Sequence, residues 1–208
     1  FFSDIEPLAA SKVLVRLENE TLSIGQRILS QGLQLTIRGQ EKIGIIGPNG
    51  VGKSTLLAKL HQLLSGKREI SLGFMPQDYL ETLQLDLSPV EFLSQTGHKE
   101  EIQKIQSHLA SLNFSYPEMH HQIHSLSGGQ QGKLLLLNLV LRKPNFLLLD
   151  EPTRNFSPTS QPEIRKLFAN YSGGLVTVSH DRRFLKEVCT SIYSLTEHGL
   201  EVVDLQDL

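Results

Sequence analysis

The chain has 208 residues, with 20 basic against 22 acidic side chains and a formal charge of −2. That length suits one large α/β domain with a real core, and the near-neutral balance is not that of a free-standing nucleic-acid binder, although a local patch could still dock on a nucleoprotein. The single cysteine, Cys189, excludes an intrachain disulfide and a four-cysteine metal site and reads as core packing; no apolar run reaches the length of a membrane span.

Residues 1–10 read as a tail or the end of a linker, with neither a basic leader nor a processing site. Partial alternation over 13–25 predicts an edge strand or hairpin, followed by a strand near 33–37, a glycine-containing turn and a buried strand at 42–46. Helical periodicity over 53–64 leads to a short β segment at 69–74. The middle, roughly 82–140, is expected to hold a small helical subdomain. Ile102, Ile105, Leu109 and Leu112 recur there at helical spacing, and Ser88-Pro89 reads as a helix start. An α/β pattern then resumes: helix 129–142, strand 146–149, helix 161–170, strand 175–178, helix 181–188 and a closing hairpin over 191–203.

The stretch "GPNGVGKST" comprises Gly47, Pro48, Asn49, Gly50, Val51, Gly52, Lys53, Ser54 and Thr55. It fits G-x-x-x-x-G-K-[ST], with a hydrophobic strand before it and a helix after it, which is the context a phosphate-binding loop requires. Glycines let backbone N–H groups turn towards phosphate oxygens, and the helix N-terminus adds a favourable field for anions. Lys53 is expected to reach the β and γ phosphates, Ser54 to offer a hydroxyl to Mg²⁺, and Thr55 to add a phosphate contact. A second feature, "NFLLLDEPTRNFSP", ends an apolar strand in two acids. Asp150 is placed to hold Mg²⁺ through water, and Glu151 to polarise the attacking water or accept its proton. Hydration, metal and hydrogen bonds would offset the cost of two carboxylates at a core edge.

Leu126-Ser127-Gly128-Gly129-Gln130 resembles the signature loop of ATP-binding cassette (ABC) proteins, and the order of the other motifs matches that family. Gln77, in "FMPQDY", falls where the family's Q-loop glutamine is expected, and His180, in "VTVSHDRRF", matches its switch histidine. With the flanking strands the resemblance covers nearly the whole chain. It implies an α/β P-loop NTPase fold with an antiparallel β subdomain, and an ATPase dependent on Mg²⁺ held by Ser54, Gln77 and Asp150. Glu151, His180 and Gln77 are implied as the catalytic set. Ser127 and the amides of Gly128 and Gly129 are implied to contact the γ-phosphate of a nucleotide held mainly by a second ABC domain, paired head to tail.

The compact middle region and the "SHDRRFL" ending resemble subfamily F, whose members carry two ABC domains on one chain and no membrane domain. "DEPTRNFSP" resembles a bacterial branch of it. This implies a cytoplasmic domain, the second of two over residues 11–208, without direct membrane insertion. It also implies a parent protein acting on the ribosome, with rRNA and tRNA as neighbours, either in translation or in antibiotic resistance by ribosome protection. Two positions depart from the family pattern. Ile24 stands where the adenine-stacking aromatic is expected, so apolar contact replaces stacking worth roughly 1–3 kcal/mol, which implies modest affinity and slow turnover in the isolated domain. Ser157 stands where the D-loop aspartate is expected. The subunit of a membrane transporter and a non-catalytic ABC-like module remain as alternatives. His120 and His124, four apart, are spaced for one helical face and a zinc pair, although loop histidines are more often solvated.

Overall fold

The computed structural model describes residues 5–208, apart from the side chain of Glu81. The chain begins with two twelve-residue strands, β1 (Val13–Ile24) and β2 (Arg27–Arg38), paired antiparallel through a turn at Gly25. β2 is longer than the strand expected near 33–37. Its alternating sequence keeps pairing with β1 beyond Gly32, where the glycine takes a left-handed φ of 71° beside a shift in register. The segment before β1 packs on this unit: Gln40 donates its side-chain N–H to the Leu8 carbonyl at 2.7 Å.

The main sheet contains β3 (Lys42–Ile46), β4 (Leu72–Met75), β5 (Phe146–Asp150), β6 (Gly174–Val178), β7 (Ser191–Thr196) and β8 (Gly199–Val203), in the spatial order β4-β5-β6-β3-β7-β8. All neighbours are parallel except β7 and β8, the predicted closing hairpin. β4 begins later than expected because residues 67–70 close a turn, with the Ile70 N–H on the Lys67 carbonyl at 2.9 Å. β5 and β6 are buried at every position, as strands covered on both faces must be, and so read as continuous apolar runs rather than alternating ones.

Successive residues of β5 serve opposite cores. Phe146 and Leu148 join β1, β2 and the helix α1 (Lys53–Leu64), whose Leu56, Leu57, Leu60 and Leu64 form its buried face. Leu147 and Leu149 join the other side, with α5 (Gly128–Arg142), α6 (Gln161–Ala169) and α7 (Arg182–Val188). The helical region expected between them appears as α2 (Pro89–Leu93), α3 (Lys99–Ser111) and α4 (Tyr116–His120). Ser88 caps α2 with Pro89 at the first turn, as its sequence predicts, and Glu91 completes a capping box. Cys189 is buried, and burial pushes its thiol up to about 12.

Glu101 organises the turn before α3. Its carboxylate accepts from the N–H groups of Gln95, Thr96 and Gly97 and from the hydroxyls of Ser94 and Thr96, which together hold its pKa down at about 2. A depressed carboxylate stabilises the fold above its ordinary range and loses that contribution as pH falls towards 2. Glu101→Gln is therefore expected to lower the unfolding midpoint at pH 7, with the difference from the parent shrinking as pH is lowered from about 4.5 towards 2, checked by thermal denaturation at stepped pH. Phe168 is fully buried on α6 and meets Phe184 of α7 edge-on at 5.9 Å. Phe168→Ala is expected to cost about 3–5 kcal/mol in urea denaturation.

Candidate active site

The carboxyl ends of β3, β5 and β6 open on a cavity of about 780 Å³. Each strand delivers one part of it. After β3 the chain enters the glycine-rich loop, in which Gly47 takes φ 147° and Gly52 φ 105°. A Cβ at Gly47 would lie 2.6 Å from the Leu195 carbonyl oxygen, and one at Gly52 would lie 2.9 Å from Leu22 and Leu29, so only glycine fits either position. α1 starts at Gly52 without a side-chain cap and with no acidic residue in its first turn, so its leading N–H groups are left to a ligand.

Asn49, Gly50, Gly52, Lys53, Ser54 and Thr55 line the cavity. Val51 turns away and packs against the β1–β2 side of the core. Gly47 and Pro48 contribute their carbonyls, which accept from the Lys53 ammonium at 2.8 and 2.9 Å. Burial lowers the pKa of Lys53, opposed by the charges of Glu151 and Asp150.

β5 supplies the carboxylates. Asp150 is 6% exposed. Burial pushes its carboxyl above the usual aspartate range, while a hydrogen bond with the Ser54 side chain and the charges of Lys53 and Arg154 pull it back. Ser54 and Asp150 thus present adjacent oxygen donors, with the side chain of Gln77 on the same cavity wall. Such an oxygen-only set suits a hard cation of the Mg²⁺ type, and a carboxylate held ionised only against burial has a reason to take one.

Glu151 carries a feature its sequence conceals: a left-handed backbone, φ 52°. For a non-glycine residue that costs about 1–2 kcal/mol, and such strain gathers at functional sites. The turn is locked by the Glu151 N–H on the Val178 carbonyl at 2.8 Å and the Arg154 N–H on the Glu151 carbonyl at 3.1 Å. It swings the carboxylate from β5 across the end of β6. There it accepts the His180 N–H at 3.2 Å, and its other oxygen lies 3.4 Å from His180 Nε2. Burial raises its pKa, opposed first by that N–H. His180 itself is the last residue before Asp181, which caps α7 by accepting from the N–H groups of Arg183 and Phe184. The capping role belongs to Asp181 and leaves the His180 ring to Glu151.

Ile24 reaches the cavity together with Leu29 and is 60% exposed, an aliphatic platform where an aromatic ring was the family expectation. The cavity also takes Thr153, Arg154, Gln161 and Asp181, none of which the sequence pattern singled out. Thr153 and Arg154 lie two and three residues after Glu151, a cue that nearness in the chain alone could have given. Gln161 comes from the next helix, where its amide braces the intervening loop through the carbonyls of Thr153 and Phe156. Ser157 is engaged within its own turn, 2.9 Å from the Thr159 hydroxyl and 3.0 Å from that of Ser160.

The signature-like loop stands apart from this cavity. Gly128 instead borders an adjoining one of about 840 Å³, shared with Gln77, Asp150, Arg154 and Asn155. Two residues of the signature-like loop have other employment. The Leu126 side chain is buried in the core, and that of Gln130 is consumed in a capping box with Ser127. The helical face that the spacing of His120 and His124 allowed does not form, and both are exposed, as solvated histidines are. α4 ends at His120, His121 is extended, and Ile123 is drawn to the Leu87 carbonyl, so the two histidines lie on different elements.

Residues 30–154 match the ABC transporter family model. The relatives include the probable ATP-binding protein YheS of Escherichia coli K12, 31% identical over 98% of this chain and 33% of the relative. They also include the ribosome protection protein VmlR of Bacillus subtilis, 31% identical over 91% of this chain and 36% of the relative, and ABC transporter F family member 2 of Arabidopsis thaliana, 27% identical over 92% and 29%. The chain spans about a third of the length of these relatives. Its fold matches a dimeric, ADP- and Pi-bound ATP-binding cassette, MJ0796, with a TM-score of 0.75 at 21% identity over 91% of this chain and 98% of that one. The chain belongs to the ABC transporter family, as an ABC ATPase domain, and its likeness to subfamily F is borne out.

Because burial raises the pKa of Glu151, its ionised form is held at a cost to the fold that grows as pH rises through that pKa. Glu151→Gln is expected to unfold at a higher temperature than the parent at pH 7. The gain should shrink as pH is lowered into the ordinary glutamate range, as read by calorimetry.

Proposed function

We propose, from this family membership, that the chain is the Mg²⁺-dependent ATP-hydrolysing unit of a cytoplasmic, ribosome-acting protein of subfamily F. In this reading residues 11–208 form the second of two ABC domains, with a helical subdomain near 82–140, and residues 1–10 end the linker between them. One observation carries the catalytic part: Lys53, Ser54, Gln77, Asp150, Glu151 and His180, distant in sequence, converge on a single cavity at the ends of three parallel strands.

The division of work follows from the geometry. The α1 N-terminus and the glycine-rich loop receive the phosphates, and Lys53, which has three N–H donors, offers the charge that holds the terminal pair. Ser54, Asp150 and Gln77 would hold Mg²⁺, which supplies neutralisation of the phosphate oxygens when bound. Glu151 orients the attacking water and accepts a proton from it; a carboxyl whose pKa is raised above the ordinary range is the better base. His180 fixes that carboxylate through its backbone N–H and ring. Ile24 and Leu29 give the base an apolar contact without stacking. The match to a dimeric cassette supports pairing with a second ABC domain, whose nucleotide Ser127, Gly128 and Gly129 would contact. The ribosome protection protein among the relatives supports the ribosome as partner.

In the full-length protein, Lys53→Ala is expected to lower ATP turnover by about a hundredfold or more. Glu151→Gln is expected to keep ATP binding, lose turnover and cosediment with ribosomes in an ATP-dependent way. ATP-independent or absent cosedimentation would refute the ribosomal reading, whereas undiminished turnover in Lys53→Ala would refute the catalytic one.

A further inference from the structure

Two helix N-termini in the helical region are joined by their capping side chains. Ser115 begins α4, and Glu118, three residues on, accepts the Ser115 N–H and hydroxyl on one carboxylate oxygen, both at 2.7 Å. Ser127 begins α5, and Gln130, three residues on, repeats the pattern. Its Oε1 accepts the Ser127 N–H at 3.0 Å, and its own N–H donates to the Ser127 hydroxyl at 3.3 Å. The two boxes then meet, with Gln130 Nε2 donating to the free oxygen of Glu118 at 2.7 Å.

This contact removes an ambiguity. A side-chain amide has a donor end and an acceptor end and turns about a soft terminal torsion. A carboxylate only accepts, so Glu118 compels the NH₂ of Gln130 to face it and the carbonyl to face the Ser127 N–H. The consequence falls on Ser127. Its N–H is satisfied and its oxygen has accepted the Gln130 N–H, so its hydroxyl hydrogen is left to donate outwards. The N–H groups of Gly128 and Gly129, in the first turn of α5, have no intrahelical acceptor, and a Cβ at Gly128 would meet nothing within 4 Å. Three donors thus stand together at the start of α5, where Ser127 and Gly128 are exposed and Gly129 is half-buried.

We propose that Glu118 is a positioning residue for this donor face, acting through the amide of Gln130. The proposal rests on reading Ser127–Gly129 as the γ-phosphate contact for the nucleotide of a second ABC domain. It assigns Gln130 to holding the loop rather than to touching the ligand, and it brings a residue outside the signature into ATP turnover.

The hydrogen-bond polarity supplies the test. Gln130→Glu sets two carboxylates face to face. Glu118→Gln sets two NH₂ groups face to face unless it gives up its bonds to Ser115. The exchange of both residues, Glu118→Gln with Gln130→Glu, keeps every donor opposite an acceptor. In the full-length protein each single variant is expected to speed hydrogen–deuterium exchange of the 127–130 amides and to lower kcat by about tenfold, with KM for ATP little changed, and the double exchange is expected to recover both. The Gln130→Glu deficit should shrink as pH falls, because facing carboxylates take up a shared proton. Single variants with parental exchange and kcat, or a double variant no better than the singles, would overturn the proposal. Ser127→Arg separates this from the reading beneath it. If Ser127→Arg abolishes turnover while the single variants leave it unmoved, Glu118 fails; if Ser127→Arg leaves turnover intact, the phosphate-facing role of the loop fails.

Discussion

Val178 of β6 sits opposite Ile45 of β3 on one side and Asp150 of β5 on the other, and its carbonyl oxygen accepts the Glu151 N–H. This three-strand register is the constraint on which the site depends. Parallel strands in register end together, so the loop after β3, the acids ending β5 and the histidine after β6 emerge at one edge of the sheet. A slip of one residue in any of the three would turn every side chain on that strand to the other face, carrying Leu147 and Leu149 into the core that Phe146 and Leu148 now fill. The apolar alternation that builds two cores is therefore the same device that aims the candidate site residues.

The site works against its own burial. Burial shifts Lys53 towards neutrality, and Asp150 and Glu151 likewise from the opposite side; the two carboxylates help keep Lys53 charged and Lys53 helps keep each of them ionised, while the charge of Asp150 adds to the upward push on Glu151. Groups in such a balance respond to an incoming triphosphate and divalent cation more strongly than solvated ones would, because a low-dielectric wall strengthens every new charge contact. The left-handed Glu151 adds a geometric cost to this electrostatic one, and both fall on the residue proposed to accept the proton.

The helical region has a different logic. Its helices share an apolar core that includes Leu93, Ile105, Leu109 and Met119, and side-chain caps fix where they start: Glu91 with Ser88, Glu101 over the turn before α3, Glu118 with Ser115, and Gln130 with Ser127. Capping contacts are local and individually small, yet they set the direction of each short helix. In α5 the cap lies at the loop that would meet another domain, so a modest hydrogen bond gains a consequence for orientation that its strength alone would not suggest.

The sequence by itself located most of the elements and the candidate residues of the main site. Period-2 and period-3.6 patterns located most strands and helices to within a few residues, although β2 begins well before the strand expected near 33–37; the glycine-rich loop marked a candidate phosphate site by its fixed internal spacing, and Ser88-Pro89 announced a helix start that formed. These features are local, written in the order of neighbouring side chains. What only the tertiary structure decided was long-range or conformational. The strand order, which places β6 between β3 and β5, assembles a single cavity and adds Leu29, Arg154 and Gln161 to it. The backbone of Glu151 is left-handed because the Val178 carbonyl and the end of β6 capture it, which no propensity of glutamate would suggest. His120 and His124 look paired by spacing but are parted by a tertiary hydrogen bond at Ile123. Each capping box, Ser115 with Glu118 and Ser127 with Gln130, is legible as a three-residue interval. That the two are joined is not, because hydrogen bonds across a fold depend on where packing brings their ends.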